Sequence, residues 1–237
     1  NKTNIITFSA ANSFNNTTIK TEQDALFLIR SSLIDAVRKR VDNTDREVAC
    51  LLSGGLDSSL IAGLVKKMLG MTNLHTFSIG MNESEDLKYA EKVATYIGSI
   101  HHTIRLTEQE FLDAIDEVIY TIESYDTTTV RASVGNWLVS KFIKENSEAK
   151  VIFNGDGSDE VCGGYMYFHA APDSLEFDKE CRRLLNDIHF FDVLRSDRSI
   201  SSHGLEARTP FLDRSFVQNY LSIPHNIRFH PGKNQCE

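Results

Sequence analysis

Only four cysteines occur in the 237 residues: Cys50, Cys162, Cys181 and Cys236. They lie far apart and form no CxxC pair or Cys/His ligand pattern, which argues against a disulfide framework or a structural zinc site. Free thiols in a reducing compartment are the plain reading. Basic charge is also scarce, with 25 Lys and Arg against 33 Asp and Glu and a formal net charge of -8. A broad electrostatic grip on nucleic acid needs clustered cations and is not expected. A nucleotide needs only a local positive field and a metal ion, so small phosphate ligands stay open. No apolar run nears the roughly 20 residues that span a bilayer, and the amino terminus lacks a basic-then-apolar secretion profile. The expectation is a cytoplasmic protein without membrane or nucleic-acid partners; a homo-oligomer is left open.

What remains is the composition of an ordinary soluble globular protein, 41% hydrophobic and 24% charged. Residues 1–20 are Asn/Thr-rich apart from Ile5-Ile-Thr-Phe8, and read as a linker or edge strand. Thr21-Glu-Gln-Asp24 has the placement of a capping box, ahead of apolar residues at helical spacing over 22–41. A short apolar run, Glu47 to Leu52, suits a buried parallel strand. Helix over 60–69, strand over 74–79, helix over 85–97 and strand over 101–106 follow. Residues 109–123 and 132–145 read as helical, and Lys150-Val-Ile-Phe153 as a further central strand. The alternation predicts an α/β fold, a doubly wound parallel sheet with helices on both faces. After about residue 165 the strand signal fades, and a mostly helical C-terminal part is expected. The organisation expected is therefore an α/β core over 21–165 and a helical extension of the same domain over 166–237.

The chemistry concentrates in Ser53-Gly-Gly-Leu-Asp-Ser-Ser59, between a strand and a helix at the carboxyl end of a parallel sheet, where open α/β folds collect ligands. Gly54 and Gly55 let the backbone turn tightly and let anionic oxygens approach its N–H groups. The following helix offers its unpaired N–H groups and positive dipole end. Ser53, Ser58 and Ser59 add hydroxyls. Asp57 suits an anion site only if a divalent cation bridges it to phosphate, so Mg²⁺ is inferred. A chance glycine-rich cap is the plain alternative; strand, motif and helix together outweigh it. The Walker A lysine is missing, which excludes that phosphate loop.

SGGLDSS resembles the signature of the N-type ATP-pyrophosphatases, which split ATP into AMP and pyrophosphate. Three further segments resemble the asparagine synthetases within that group. They are Ile122 to Ser133, which carries Thr128, Thr129 and Arg131; Asn154-Gly-Asp-Gly-Ser-Asp-Glu160 with Gly163 to His169; and Ser201 to Asp213. The resemblance implies that Leu52 and Ile79 hold adenine with main-chain groups, although both also read as core aliphatics. It implies that Ser53, Gly54, Gly55, Asp57 and Ser58 grip pyrophosphate and Mg²⁺, and that Asn154 and Gly155 contact the nucleotide. Asp159 becomes the second metal ligand, with a helix N-cap as its alternative role. Arg131 balances phosphate charge, with a surface salt bridge as its alternative. Asp156, Arg131, Thr128 and Thr129 form the expected catalytic set. Aspartate would be activated as β-aspartyl-AMP and then amidated by ammonia. A β-lactam-forming synthetase, or an inactive adenine-nucleotide module, are the alternatives.

Two positions depart from the family pattern. Asp156 stands where Glu is usual, and Asn154 where Ser is usual. The family's catalytic lysine follows a Glu that aligns with Glu237, and Lys233 sits too early to replace it. A further C-terminal segment is therefore expected. No cysteine precedes Cys50, so nitrogen is expected as free ammonia or from a separate glutaminase domain or partner.

Overall fold

The computed structural model describes residues 16–70 and 73–230. The chain runs α1 (Glu22–Asp42), β1 (Val48–Leu51), α2 (Leu56–Leu69), β2 (His75–Met81), α3 (Glu85–Ile97) and β3 (Ile100–Leu106). It continues through α4 (Glu108–Asp113), α5 (Ile115–Ile122), α6 (Thr127–Asn146), β4 (Val151–Phe153), α7 (Ser158–Cys162) and α8 (Ser174–Asp187). Last come α9 (Asp192–Ser201), β5 (Glu206–Arg208), α10 (Arg214–Ser222) and α11 (His225–Arg228). Among the described residues five strands run parallel, in the order β3-β2-β1-β4-β5.

Strand period two divides the core. Val48, Cys50, Val151 and Phe153 face α1, α2, α3 and α10, whereas Ala49 and Ile152 face Val139 and Ile143 of α6 and Ile200 of α9. Both faces are thus covered, as a parallel sheet requires. Each turn of direction has a local cause. Thr21 caps α1 in a full capping box with Asp24. Gly98, at φ 67°, ends α3 with its N–H on the carbonyls of Ala94 and Thr95. From β1 the chain winds outward to β2 and β3, then crosses back to β4 and β5, so the strand order switches between β1 and β4.

Four expectations are corrected. α2 begins at Leu56, so Asp57, Ser58 and Ser59 sit in its first turn rather than in a loop. The span 109–123 is two helices that meet at Ala114. α6 begins at Thr127 and contains Arg131, because Asp126 Oδ1 caps it by accepting from the Thr129 N–H at 2.8 Å. Among the described residues after 165 the regular elements are helices except for β5, a three-residue edge strand paired with β4. Residues 16–20 form no strand, and the Asn16 N–H donates to the Ser222 carbonyl at 2.7 Å. The Ile5–Phe8 patch, Lys233, Cys236 and Glu237 lie outside the described residues. No helix among the described residues is long and apolar enough to cross a membrane.

Candidate active site

β1 and β4 end side by side, and the loop after each bends toward the other. After β1 the Leu52 N–H still pairs with the Phe77 carbonyl at 2.8 Å, and the chain then turns at Ser53. Gly54, at φ +83°, packs so tightly on α3 that a Cβ would stand 2.5 Å from the Ala90 nitrogen. Ser53 Oγ lies 2.9 Å from Ser58 Oγ, and the Ser53 N–H donates to Ser58 Oγ at 3.2 Å. Ser59 Oγ donates to the Gly55 carbonyl at 2.6 Å. No side chain caps α2 at Gly55, which leaves its positive end facing the cleft.

The second loop lies directly on that helix end. A Cβ on Gly155 would stand 2.9 Å from the Ser58 nitrogen and 3.0 Å from Asp57 Cβ. Only glycine permits this approach. Gly157, at φ 87°, caps α7 without a side-chain bond, so Asp159 is not the N-cap; it sits inside the helix's first turn. A Cβ on Gly164 would meet Asp159 Oδ1 at 2.0 Å, so a second glycine makes room for that carboxylate.

The cleft between the loops is a cavity of about 340 Å³. Ser53, Gly55, Asp57, Ser58, Asn154, Gly155, Asp156 and Asp159 all line it. Burial raises the Asp159 pKa, and the charges of Asp57 and Asp192 raise it further. Neither Asp57 nor Asp159 has an ion-pair partner among the described residues. Burial likewise raises Asp156, opposed by a Ser196 hydrogen bond, the Arg195 charge and the Asn154 amide.

Several expected residues lie elsewhere. The Leu52 side chain is core, and Ile79 lines a neighbouring cavity with Ser84, Leu106 and Phe111. Gly54 shapes the turn from behind. Arg131 is exposed on α6 and lines an apolar groove with Phe111, Ile115 and Ile119. Thr128 is exposed, while Thr129 is buried with its hydroxyl donating to Asp126 Oδ1 at 2.8 Å.

Five lining residues were not named as site groups from the sequence: Asn136, Glu160, Tyr165, Asp192 and Arg195. The Tyr165 hydroxyl donates to Glu160 Oε1 and, at 3.3 Å, to Asp192 Oδ2. Arg195 holds Asp192 Oδ1 at 2.5 Å. Glu160 is pushed up to about 8, first by burial and then by its hydrogen bond to Asp192. This side of the cleft therefore combines a guanidinium, a carboxylate and a carboxyl group whose pKa burial raises. Glu160 and Tyr165 belong to the glycine-rich segments quoted above; Asp192 and Arg195, one turn apart on α9, had nothing but that i,i+3 pairing to mark them.

Comparison with known proteins decides the family. The asparagine synthase family model matches residues 28–179 and 170–235. The chain belongs to that family. It is 52% identical over 198 residues to an asparagine synthetase [glutamine-hydrolyzing] of Mesocricetus auratus, covering 82% of this chain and 35% of the relative. The protein of that name in Homo sapiens is 51% identical over 198 residues, with the same coverage of 82% and 35%. The Gallus gallus protein is 50% identical over 204 residues, covering 84% and 36%. The chain thus spans 35–36% of the length of these family members. Among solved structures, an NH3-dependent NAD synthetase from Campylobacter jejuni is similar with TM-score 0.41 and 22% identity over 60% of each chain.

Proposed function

We propose that the chain carries ATP-dependent asparagine synthesis. The β-carboxylate of L-aspartate attacks the α-phosphorus of ATP, and pyrophosphate leaves as β-aspartyl-AMP forms. Ammonia then attacks the activated acyl carbon, giving asparagine and AMP. The observation that carries this reading is the contact of Gly155 with the start of α2, which joins both loops into one cleft.

In this reading Ser53, Gly54, Gly55 and Ser58 receive the pyrophosphate, aided by the uncapped end of α2. Main-chain groups at Leu52 and Ile79 hold adenine, with Asn154 and Gly155 against the nucleotide. Asp57 and Asp159 would hold Mg²⁺: two carboxylates of like charge without a basic partner fit a hard cation. Among the described residues no cluster of three ligating side chains encloses a metal, which suits an ion shared with substrate. When bound, Mg²⁺ neutralises charge on the departing phosphates. Thr128 and Arg131 serve the phosphates from the exposed first turns of α6, and Thr129 fixes that turn through Asp126.

Arg195 and Asp192 place both signs of charge on one side of the cleft, as an amino-acid zwitterion requires. Asp156, its basicity raised by burial, accepts a proton from the attacking ammonia. The nitrogen comes as ammonia, free or delivered by a glutaminase domain or partner, since the relatives' names specify glutamine hydrolysis. Isolated buried thiols such as Cys50 and Cys181 suit a cytoplasmic setting. The test is pyrophosphate release from ATP, Mg²⁺ and ammonium with and without aspartate. Release that ignores aspartate refutes the assignment.

A further inference from the structure

Asn154 and Asp156 flank Gly155 at the end of β4. Asn154 is 4% exposed, and its N–H donates to the Arg208 carbonyl of β5 at 3.2 Å, so its backbone is fixed to the sheet. Its Nδ2 group has two protons to give. One goes to Asp156 Oδ2 at 2.7 Å and the other to Ser196 Oγ at 3.1 Å. Its Oδ1 accepts from the Asp156 N–H at 3.4 Å. The amide is therefore oriented at both ends, and turning it over would set its oxygen against the Asp156 carboxylate and its NH2 against the Asp156 N–H. The Asp156 carboxylate depends on this amide and on Ser196 for neutral donors, with Arg195 and Asp192 as the charges beside it.

Side-chain lengths on the two residues are matched. A serine at 154 carries its hydroxyl on Cβ, one bond short of the amide nitrogen that spans to Asp156. A glutamate at 156 would carry its carboxylate about 1 Å further into the space that the Asn154 amide fills, a displacement large enough to matter near reacting atoms. The long donor and the short carboxylate thus form one unit. We propose that Asn154 is the positioning residue of Asp156 in the amide-forming step, an assignment that rests on the function proposed above.

The test is a double-mutant cycle in the intact protein, with asparagine formation followed at saturating ATP and aspartate while ammonium is varied. N154S and D156E should each lower kcat about 100-fold, the cost of a misplacement near 1 Å, and leave the KM for ATP within about two-fold. N154S/D156E should return to within about five-fold of wild type, because the shorter donor now meets the longer carboxylate. A double variant whose loss is the product of the single losses overturns the proposal. Should wild type release no aspartate-dependent pyrophosphate, the proposed function fails by itself. Crystal structures of wild type and N154S then decide the positioning separately: a displaced Asp156 carboxylate upholds it, and an unmoved one overturns it.

Discussion

Gly155 and Ser58, almost a hundred residues apart in sequence, approach so closely that a Cβ on Gly155 would stand 2.9 Å from the Ser58 nitrogen. The contact lies where the strand order switches, and it turns two separate loops into one polar cleft. A methyl group there must push the second loop away from the first turn of α2. G155A should therefore cost about 1–3 kcal/mol of stability by overpacking. Pyrophosphate release should fall by about 100-fold or more, since the proposed function has both loops share the nucleotide. Urea denaturation and the release assay on the same preparation check both numbers.

A second prediction concerns pH. Asp213 caps α10 and holds Arg40 at 2.7 Å and Lys39 at 2.9 Å. Burial alone would raise its pKa, but the hydrogen bonds from Arg40 and Lys39 outweigh it and bring it down to about 2. A carboxylate depressed on folding stabilises the native state above its unfolded pKa near 4, and that contribution is lost as pH falls toward 2. D213N keeps a good N-cap and removes the charge. It should cost about 1–2 kcal/mol at pH 7, discounted because Lys39 is exposed. The difference from wild type should shrink between pH 4 and pH 3 in urea titrations.

Arg131 yields a third. Its side chain borders the apolar groove of α4, α5 and α6 in the structure, and the proposed function gives it phosphate charge to balance. R131A should lower kcat/KM about 10- to 100-fold through lost charge stabilisation, with unchanged thermal stability for an exposed side chain. Steady-state kinetics with varied ATP separates this from a packing role, which would leave kcat/KM intact.

The sheet was legible because its signals are local. Helix 85–97 was read with the bounds it has, and the apolar runs 47–52 and 150–153 placed strands 48–51 and 151–153 within one residue at each end. β5 was not, because three residues, Glu206 to Arg208, with two charged ends, show no strand period. The start of α6 was hidden by Thr127-Thr-Thr-Val130, a β-branched run that reads as poor helix until Asp126 is recognised as its cap.

In the cleft, Asp57 and Asp159 stand beside glycines that announce a backbone approach. Asp192 and Arg195 stand on an ordinary helix, and the packing of α9 against α6 and β5 carries them to the cleft, with Ser196 against the Asn154 amide. Positions set by tertiary packing leave no mark in a local pattern.

The most direct test of the central claim is aspartate-dependent pyrophosphate release from MgATP and ammonium by wild type, D57N and D159N. Wild type should release pyrophosphate and form asparagine in equal amounts, and each variant should lose at least about 100-fold in kcat. Equal rates in all three, or release indifferent to aspartate, would contradict the account.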